Sequence, residues 1–350
     1  MSHQSAELNS SEQNSAELIS DSNSQHWLSM PSRAHKQSVG FIDMGSAHVD
    51  SLPLLHGGVI EDLEVHYNCY GSLNNPAIVV LGGISASRNI HNWWGELVGT
   101  GKAINLDQFC VIGIDYIANQ DPKNPNLVSP FDQAKVIRLV LETLNLNKIE
   151  AVVGSSYGGM VALAFAALYP AMLEKLICVA AAHRNTQVSV AQRQIQQQIL
   201  NLGIRTGELK AAISIARELG FISYRSEQEL ENRFSPLRVI NKQNLTFELV
   251  EYLKHQGDKF ASQFDIDRYR SLSQSIDLHK VNPKDIHTQA LFVAIDSDRL
   301  VPVHLVEECA AACTGRTHIK TIHSQYGHDG FLLETEQLAE CITPFLRNSL

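Results

Sequence analysis

The stretch Ala151-Val152-Val153-Gly154-Ser155-Ser156-Tyr157-Gly158-Gly159-Met160-Val161-Ala162-Leu163-Ala164-Phe165 carries the pattern that decides the fold. The run Ile149–Val153 reads as a buried strand, and the apolar stretch through Met160–Leu168 has the length of a helix. Between them Gly154 to Gly158 spell G-x-S-x-G, and Gly159 extends the motif. A serine at the centre of that motif sits on a strained strand-to-helix turn, and small residues two before and two after let the turn close. Ser156 is therefore the candidate nucleophile. Ser155 is the neighbouring rival, but its place in the spacing faces away from the tip of the turn.

Outward from this turn, strands alternate with helices. Glu64–Tyr70 alternates as a strand, and Ala77–Leu81 is a continuous apolar run ending in Gly82-Gly83. Phe109–Ile114 is a similar run, and Asp132–Leu144 is amphipathic at helical spacing through Val136, Leu139, Val140 and Leu144. Lys175–Ala180 is a further strand. From about 186 to 285 the alternation stops, and the chain is glutamine-rich, charged and helical with no convincing strand. It resumes with a strand at Ala290–Ile295, a helix near Val303–Ala312, a strand near His318–Ile322 and a closing helix from Glu334. This order predicts an α/β fold, a mostly parallel sheet with flanking helices, over residues 37–350, with a helical lid inserted at about 186–285. Residues 1–36 contain ten serines and repeat Ser-Ala-Glu-Leu at Ser5 and Ser15. They offer little apolar surface against their ordering entropy, so a disordered tail is expected.

In folds with such a turn, the partners of the serine follow in the order acid, then histidine. The acid belongs just beyond a later strand, and Ala290–Ile295 ends in Asp296-Ser297-Asp298; position alone leaves both aspartates open. The histidine belongs in a loop after the last strand, which selects His328 in Gly327-His328-Asp329-Gly330 over His323 at the strand end. A histidine near its usual pKa can take the serine proton and return it to a leaving group. Two backbone N–H groups must face the oxyanion. Tyr157, after the nucleophile, supplies one, and Ile84, in the Gly82-Gly83-Ile84 loop, is the candidate for the other.

With 37 acidic and 28 basic side chains the formal charge is −9, and no basic block offsets it, so neither nucleic acid nor a membrane surface is expected as a partner. The six cysteines include no C-x-x-C pair, and no metal site is expected. No apolar run reaches the ~18 residues of a spanning helix, and the N-terminus lacks a charged start followed by an apolar core. A cytoplasmic protein is expected.

Longer motifs carry a family resemblance. The segments L-L-H-G-G-V-I-E-D-L-E-V-H-Y-N-C-Y-G-S-L-N, W-W-G-E-L-V-G-T-G-K-A-I, V-V-G-S-S-Y-G-G-M, I-A-R-E-L-G-F-I-S-Y-R-S, V-E-Y-L-K-H-Q-G-D-K-F, I-D-S-D-R-L and Y-G-H-D-G-F-L-L-E run from Leu54 to about Leu333. Together they resemble the homoserine O-acyltransferases of methionine biosynthesis, mostly homoserine O-acetyltransferases, within the α/β-hydrolase superfamily. The resemblance implies that the second aspartate of D-S-D, Asp298, is the triad acid. It implies that Arg217 and Tyr224 contact the substrate amino acid and that Asp329 meets its ammonium. It further implies L-homoserine and an acyl-CoA as substrates, no bound cofactor, an acyl-Ser156 intermediate, and a homodimer in which lids pack together. A plain esterase or thioesterase would use the same triad, and Arg217 with Tyr224 is the discriminating feature. The chain departs from the family in having D-Y-I-A-N-Q-D-P-K-N-P-N-L-V in place of a longer G-S-T-G-P loop, and G-G-I-S-A-S-R in place of H-A-L-T-G. Both segments are expected to border the acyl and coenzyme sites. Acetyl is the expected acyl group and succinyl the alternative, with Ser85 and Arg88 as candidate contacts for a succinyl carboxylate.

Overall fold

The computed structural model describes residues 41–119, 126–236, 238–241 and 244–348. The expected tail over residues 1–36 lies outside them. The chain opens with β1 (Phe41–Pro53), β2 (Val59–Tyr70), β3 (Ala77–Leu81), the short helix α1 (His91–Trp94) and β4 (Cys110–Ile114). Then come α2 (Pro130–Thr143), β5 (Ile149–Ser155), α3 (Tyr157–Leu168) and β6 (Leu173–Val179). An insertion follows, built from α4 (Gln187–Thr206), α5 (Leu209–Tyr224), α6 (Glu227–Arg233), the hairpin β7 (Arg238–Asn241) and β8 (Asn244–Phe247), α7 (Glu248–Ala261) and α8 (Ile266–Asp277). The chain returns to the sheet with β9 (Gln289–Ile295), α9 (Val303–Ala312) and β10 (Thr317–Ile322), and ends in α10 (Gly330–Leu333) and α11 (Thr335–Leu346).

Eight strands form one sheet in the order β1-β2-β4-β3-β5-β6-β9-β10. The β1–β2 and β2–β4 pairs are antiparallel, and every pair from β4 to β10 is parallel. The continuous apolar runs follow from this topology, because both faces of the central strands are covered. In β3, Ala77, Val79 and Leu81 enter one core with α2, α3 and α9, while Ile78 and Val80 enter another with α1 and α11. Helix α3 is buried from Tyr157 through Ala166, so it is apolar all round rather than striped.

Two elements depart from the sequence expectation. The strand β1 is not among those expected from the sequence: Ser46, His48 and Asp50 form its exposed face, Ala47 and Val49 point inward, and pairing along β2 holds it in place. The insertion, expected to be wholly helical, contains the β7–β8 hairpin. Four residues per strand are too few to register as a period against the charged background. No helix among the described residues is long and apolar enough to cross a membrane.

Candidate active site

β5 runs straight into α3, and the only residue between them is Ser156, with φ 54° and ψ −121°. An L-residue in this region is strained. Its neighbours hold it there: the Ser156 N–H donates to Val179 O at 2.9 Å and Met160 N–H donates to Ser156 O at 3.1 Å. The flanking glycines are steric requirements. A Cβ on Gly154 would stand 2.1 Å from Gly158 O, and one on Gly158 would stand 2.3 Å from Leu81 O. Ser155 is fully buried on the strand, and among the described residues its Oγ has no hydrogen-bond partner.

His328 Nε2 lies 2.7 Å from Ser156 Oγ, and His328 Nδ1 lies 2.6 Å from Asp298 Oδ2. The other oxygen of Asp298 accepts from Leu300 N at 2.8 Å and Val301 N at 3.0 Å, which fixes the carboxylate. An ionised Asp298 needs the proton on Nδ1, leaving Nε2 as the acceptor for the serine hydroxyl. Burial alone would lower the His328 pKa, but the charge and hydrogen bond of Asp298 reverse this and leave it above its ordinary value. Gly327, at φ 64°, turns the loop, and its N–H donates to Ser297 Oγ at 3.1 Å. The two rivals pair with each other: His323 Nδ1 lies 2.9 Å from Asp296 Oδ2, and the His323 side chain is 85% exposed. The Ser324 N–H and His323 hold the Asp296 carboxyl below its usual range despite burial.

At the start of a helix the first N–H groups have no intrahelical acceptor. That of Gly158 goes to Gly82 O at 2.9 Å, and the Tyr116 hydroxyl donates to the same oxygen at 2.7 Å. These two bonds clamp the Gly82-Gly83-Ile84 loop against the turn that carries Ser156. The Tyr157 side chain points away, its hydroxyl 2.7 Å from Ser275 Oγ and its ring edge-on to Tyr116 at 4.9 Å. Ile84, Tyr157, Ser156 and His328 all line one cavity of about 210 Å³.

The insertion roofs that cavity. Arg217 and Tyr224 of α5 and Asp329 beside the histidine line it, as do Asn185, Ser189, Gln192, Arg193 and Gln196. The Arg217 guanidinium lies 4.6 Å from the Phe260 ring centroid and 5.2 Å from that of Tyr224, and among the described residues it makes no ion pair. Arg193 differs, because Asp277 Oδ1 lies 2.6 Å from its Nε. Burial pushes the Asp329 carboxyl above its usual range, opposed chiefly by Arg225, whose Nε lies 3.1 Å from Asp329 Oδ2. Ser85 lines the cavity, but Arg88 does not: its side chain and its backbone N–H are both bound to Asp115, the latter at 2.9 Å. Arg88 is thereby withdrawn as a contact for a succinyl carboxylate. Sequence reasoning missed Arg225 and Arg193, since an arginine in a helical stretch reads as a solvated charge. The one available signal was that Arg225 directly follows Tyr224 inside a family motif.

Fold and site together define a serine acyl-transfer or hydrolytic enzyme, and residues 76–335 match the family model described as the alpha/beta hydrolase fold. The homoserine O-succinyltransferase of Xanthomonas campestris pv. campestris is 30% identical over 310 residues, covering 86% of this chain and 83% of that protein. The homoserine O-acetyltransferase of Chlorobium chlorochromatii is 28% identical, covering 83% of this chain and 91% of that one. A crystal structure of homoserine O-acetyltransferase from Staphylococcus aureus superposes with a TM-score of 0.75 at 26% identity, covering 87% of this chain and 95% of that one. The chain belongs to the homoserine O-acyltransferases of the α/β-hydrolase fold.

Proposed function

We propose that the protein transfers an acetyl group from acetyl-CoA to the hydroxyl of L-homoserine through an acyl-Ser156 intermediate, the acyl-activating step of methionine biosynthesis. The observation that carries this is the shared cavity, whose lining includes Arg217 and Asp329 together with Ser156 and His328. A zwitterionic amino acid calls for one fixed cation and one fixed anion. Arg217 takes the carboxylate, Tyr224 borders it, and Asp329 takes the ammonium.

Ser156 Oγ attacks the thioester carbonyl while its proton moves to His328 Nε2. The oxyanion is met by the Tyr157 and Ile84 N–H groups, each contributing about 3 kcal/mol in the transition state. The tetrahedral adduct collapses, His328 returns the proton, and coenzyme A leaves as the thiol. The homoserine hydroxyl then gives its proton to His328 Nε2 and attacks the acyl-serine carbonyl. This adduct collapses with cleavage of the acyl–Ser156 Oγ bond, His328 returns the proton to Ser156 Oγ, and O-acetylhomoserine leaves. Water must lose this competition. A bound, oriented hydroxyl has an effective molarity on the order of 10⁵ M or more, and the insertion acts as the lid that limits solvent. No bound cofactor or metal enters these steps. An acyl-CoA is an intracellular metabolite, which supports a cytoplasmic location.

Succinyl is the second reading, favoured by the relative at 30% identity, which is a succinyltransferase. Thiol release from purified protein with homoserine and either acetyl-CoA or succinyl-CoA separates the two. Acetyl-CoA is expected to give the higher kcat/KM. Arg217→Ala is expected to lower kcat/KM for homoserine by roughly tenfold to a hundredfold. Equal thiol release with and without homoserine in the wild-type protein would replace the transferase with a hydrolase.

A further inference from the structure

Arg225 occupies the joint between α5 and α6, with its side chain 5% exposed, and it lines no part of the cavity. Its Nη1 lies 3.3 Å from Glu229 Oε1, which lies 3.1 Å from Arg233 Nη1, and its guanidinium lies 5.0 Å from the Phe221 ring centroid. Replacing such a buried ionic group with apolar side chains is often neutral or stabilising, so stability is a weak reason for its presence.

We propose that Arg225 is a positioning residue for homoserine use: it holds the Asp329 carboxylate as the anion that meets the substrate ammonium. This rests on the assignment of Asp329 given above. The geometry supports it in two ways. First, the Arg225 Nε lies 3.1 Å from Asp329 Oδ2 without making an aligned hydrogen bond, so the attraction leaves the carboxylate oxygens able to accept from a ligand. Second, the joint is seated on the histidine loop through its backbone, independently of the Arg225 side chain. A Cβ on Gly327 would stand 2.6 Å from Tyr224 O and 2.7 Å from Ser226 N, and the Ser226 hydroxyl donates to Gln325 O. Shortening or neutralising residue 225 therefore alters the field at Asp329 while this packing persists.

The charged groups facing Asp329 are Arg225 and Arg217 from the insertion, His328 from its own loop and Asp298 from beyond β9. Burial raises the Asp329 carboxyl, and Arg225 is foremost among the groups that lower it. Without Arg225 the carboxyl rises further. As the pH falls it is then protonated earlier, and the homoserine ammonium loses its partner at a pH where the wild-type protein still binds.

The test uses full-length Arg225→Met and Arg225→Lys, with steady-state kinetics in acyl-CoA and homoserine from about pH 6 to 9. For Arg225→Met the KM for homoserine is expected to rise about tenfold or more, with the increase growing as the pH falls, and Arg225→Lys should recover most of it. Added to Asp329→Asn, Arg225→Met should cost less than about twofold more. A pH profile of homoserine use matching that of the wild type, or two effects that simply multiply, overturns the proposal. Should Arg225→Met fail to fold, Glu229→Gln carries the test. Removing the competing carboxylate should move the acidic limb for homoserine to lower pH, and no movement or the opposite one overturns the proposal. Absence of homoserine dependence in the wild type would instead discard the underlying assignment of Asp329.

Discussion

At the scale of single residues, the site is built by placing ordinary groups in costly positions. Ser156 is held at positive φ, and His328 is buried beside Asp298, whose free oxygen is filled by two backbone N–H groups. His328 must be neutral at Nε2 to accept the serine proton, so activity falls as the pH drops through its pKa. Asp298 raises that pKa, which puts the acidic limb at higher pH than an ordinary histidine would give. Asp298→Asn is expected to lower kcat on the order of 10³–10⁴-fold and to move the residual limb to lower pH, read from a pH–rate profile of thiol release. An unmoved limb would show that another group titrates. Ser156 and His328 were legible in the sequence because each occupies a position set by chain order. The choice between Asp296 and Asp298 was not, because two residues in one loop differ only in which way the loop curves. The structure distinguishes them by pairing Asp296 with the exposed His323.

At the scale of elements, the turn between β5 and α3 depends on close backbone approach. Gly158 packs on Leu81 O, and its N–H goes to Gly82 O, so one glycine couples the turn that carries Ser156 to the loop that carries Ile84. Gly158→Ala is expected to destabilise by about 1–3 kcal/mol through overpacking against a backbone oxygen. Gly83→Ala, where no atom lies within 4 Å of the added carbon, should change stability little. Thermal melts of the two variants check this, and equal melting temperatures would contradict it. The strands β3, β4 and β5 were readable because cores on both faces demand an unbroken apolar run. β1 and the β7–β8 hairpin were not, because edge and hairpin strands are held by pairing and need little apolar signal.

At the scale of the whole molecule, the insertion both roofs the cavity and presents an apolar surface. Val188, Ile195 and Leu202 recur every seven residues along α4 and are at least half exposed, and Ile215 and Ile222 repeat the spacing on α5. Such a stripe is a candidate interaction surface, and we propose that it meets a second copy of the chain in a homodimer. Ile195→Glu is expected to shift the protein from dimer to monomer in sedimentation or light scattering, and a wild-type monomer would contradict the assignment. Residue patterns alone identified the insertion as a helical lid, and Arg217 and Tyr224 came only with the family resemblance, because long-range packing brings Tyr224 beside His328 and Arg225 beside Asp329 and no local pattern encodes it. The central claim is that an acyl group passes through Ser156 to homoserine. Intact-protein and peptide mass spectrometry after mixing with acetyl-CoA tests it directly. An acetyl adduct on Ser156 is expected to persist in buffer and to be discharged on addition of homoserine, with formation of O-acetylhomoserine. An adduct on Ser155 or a cysteine, or one lost to water as fast as to homoserine, would contradict it.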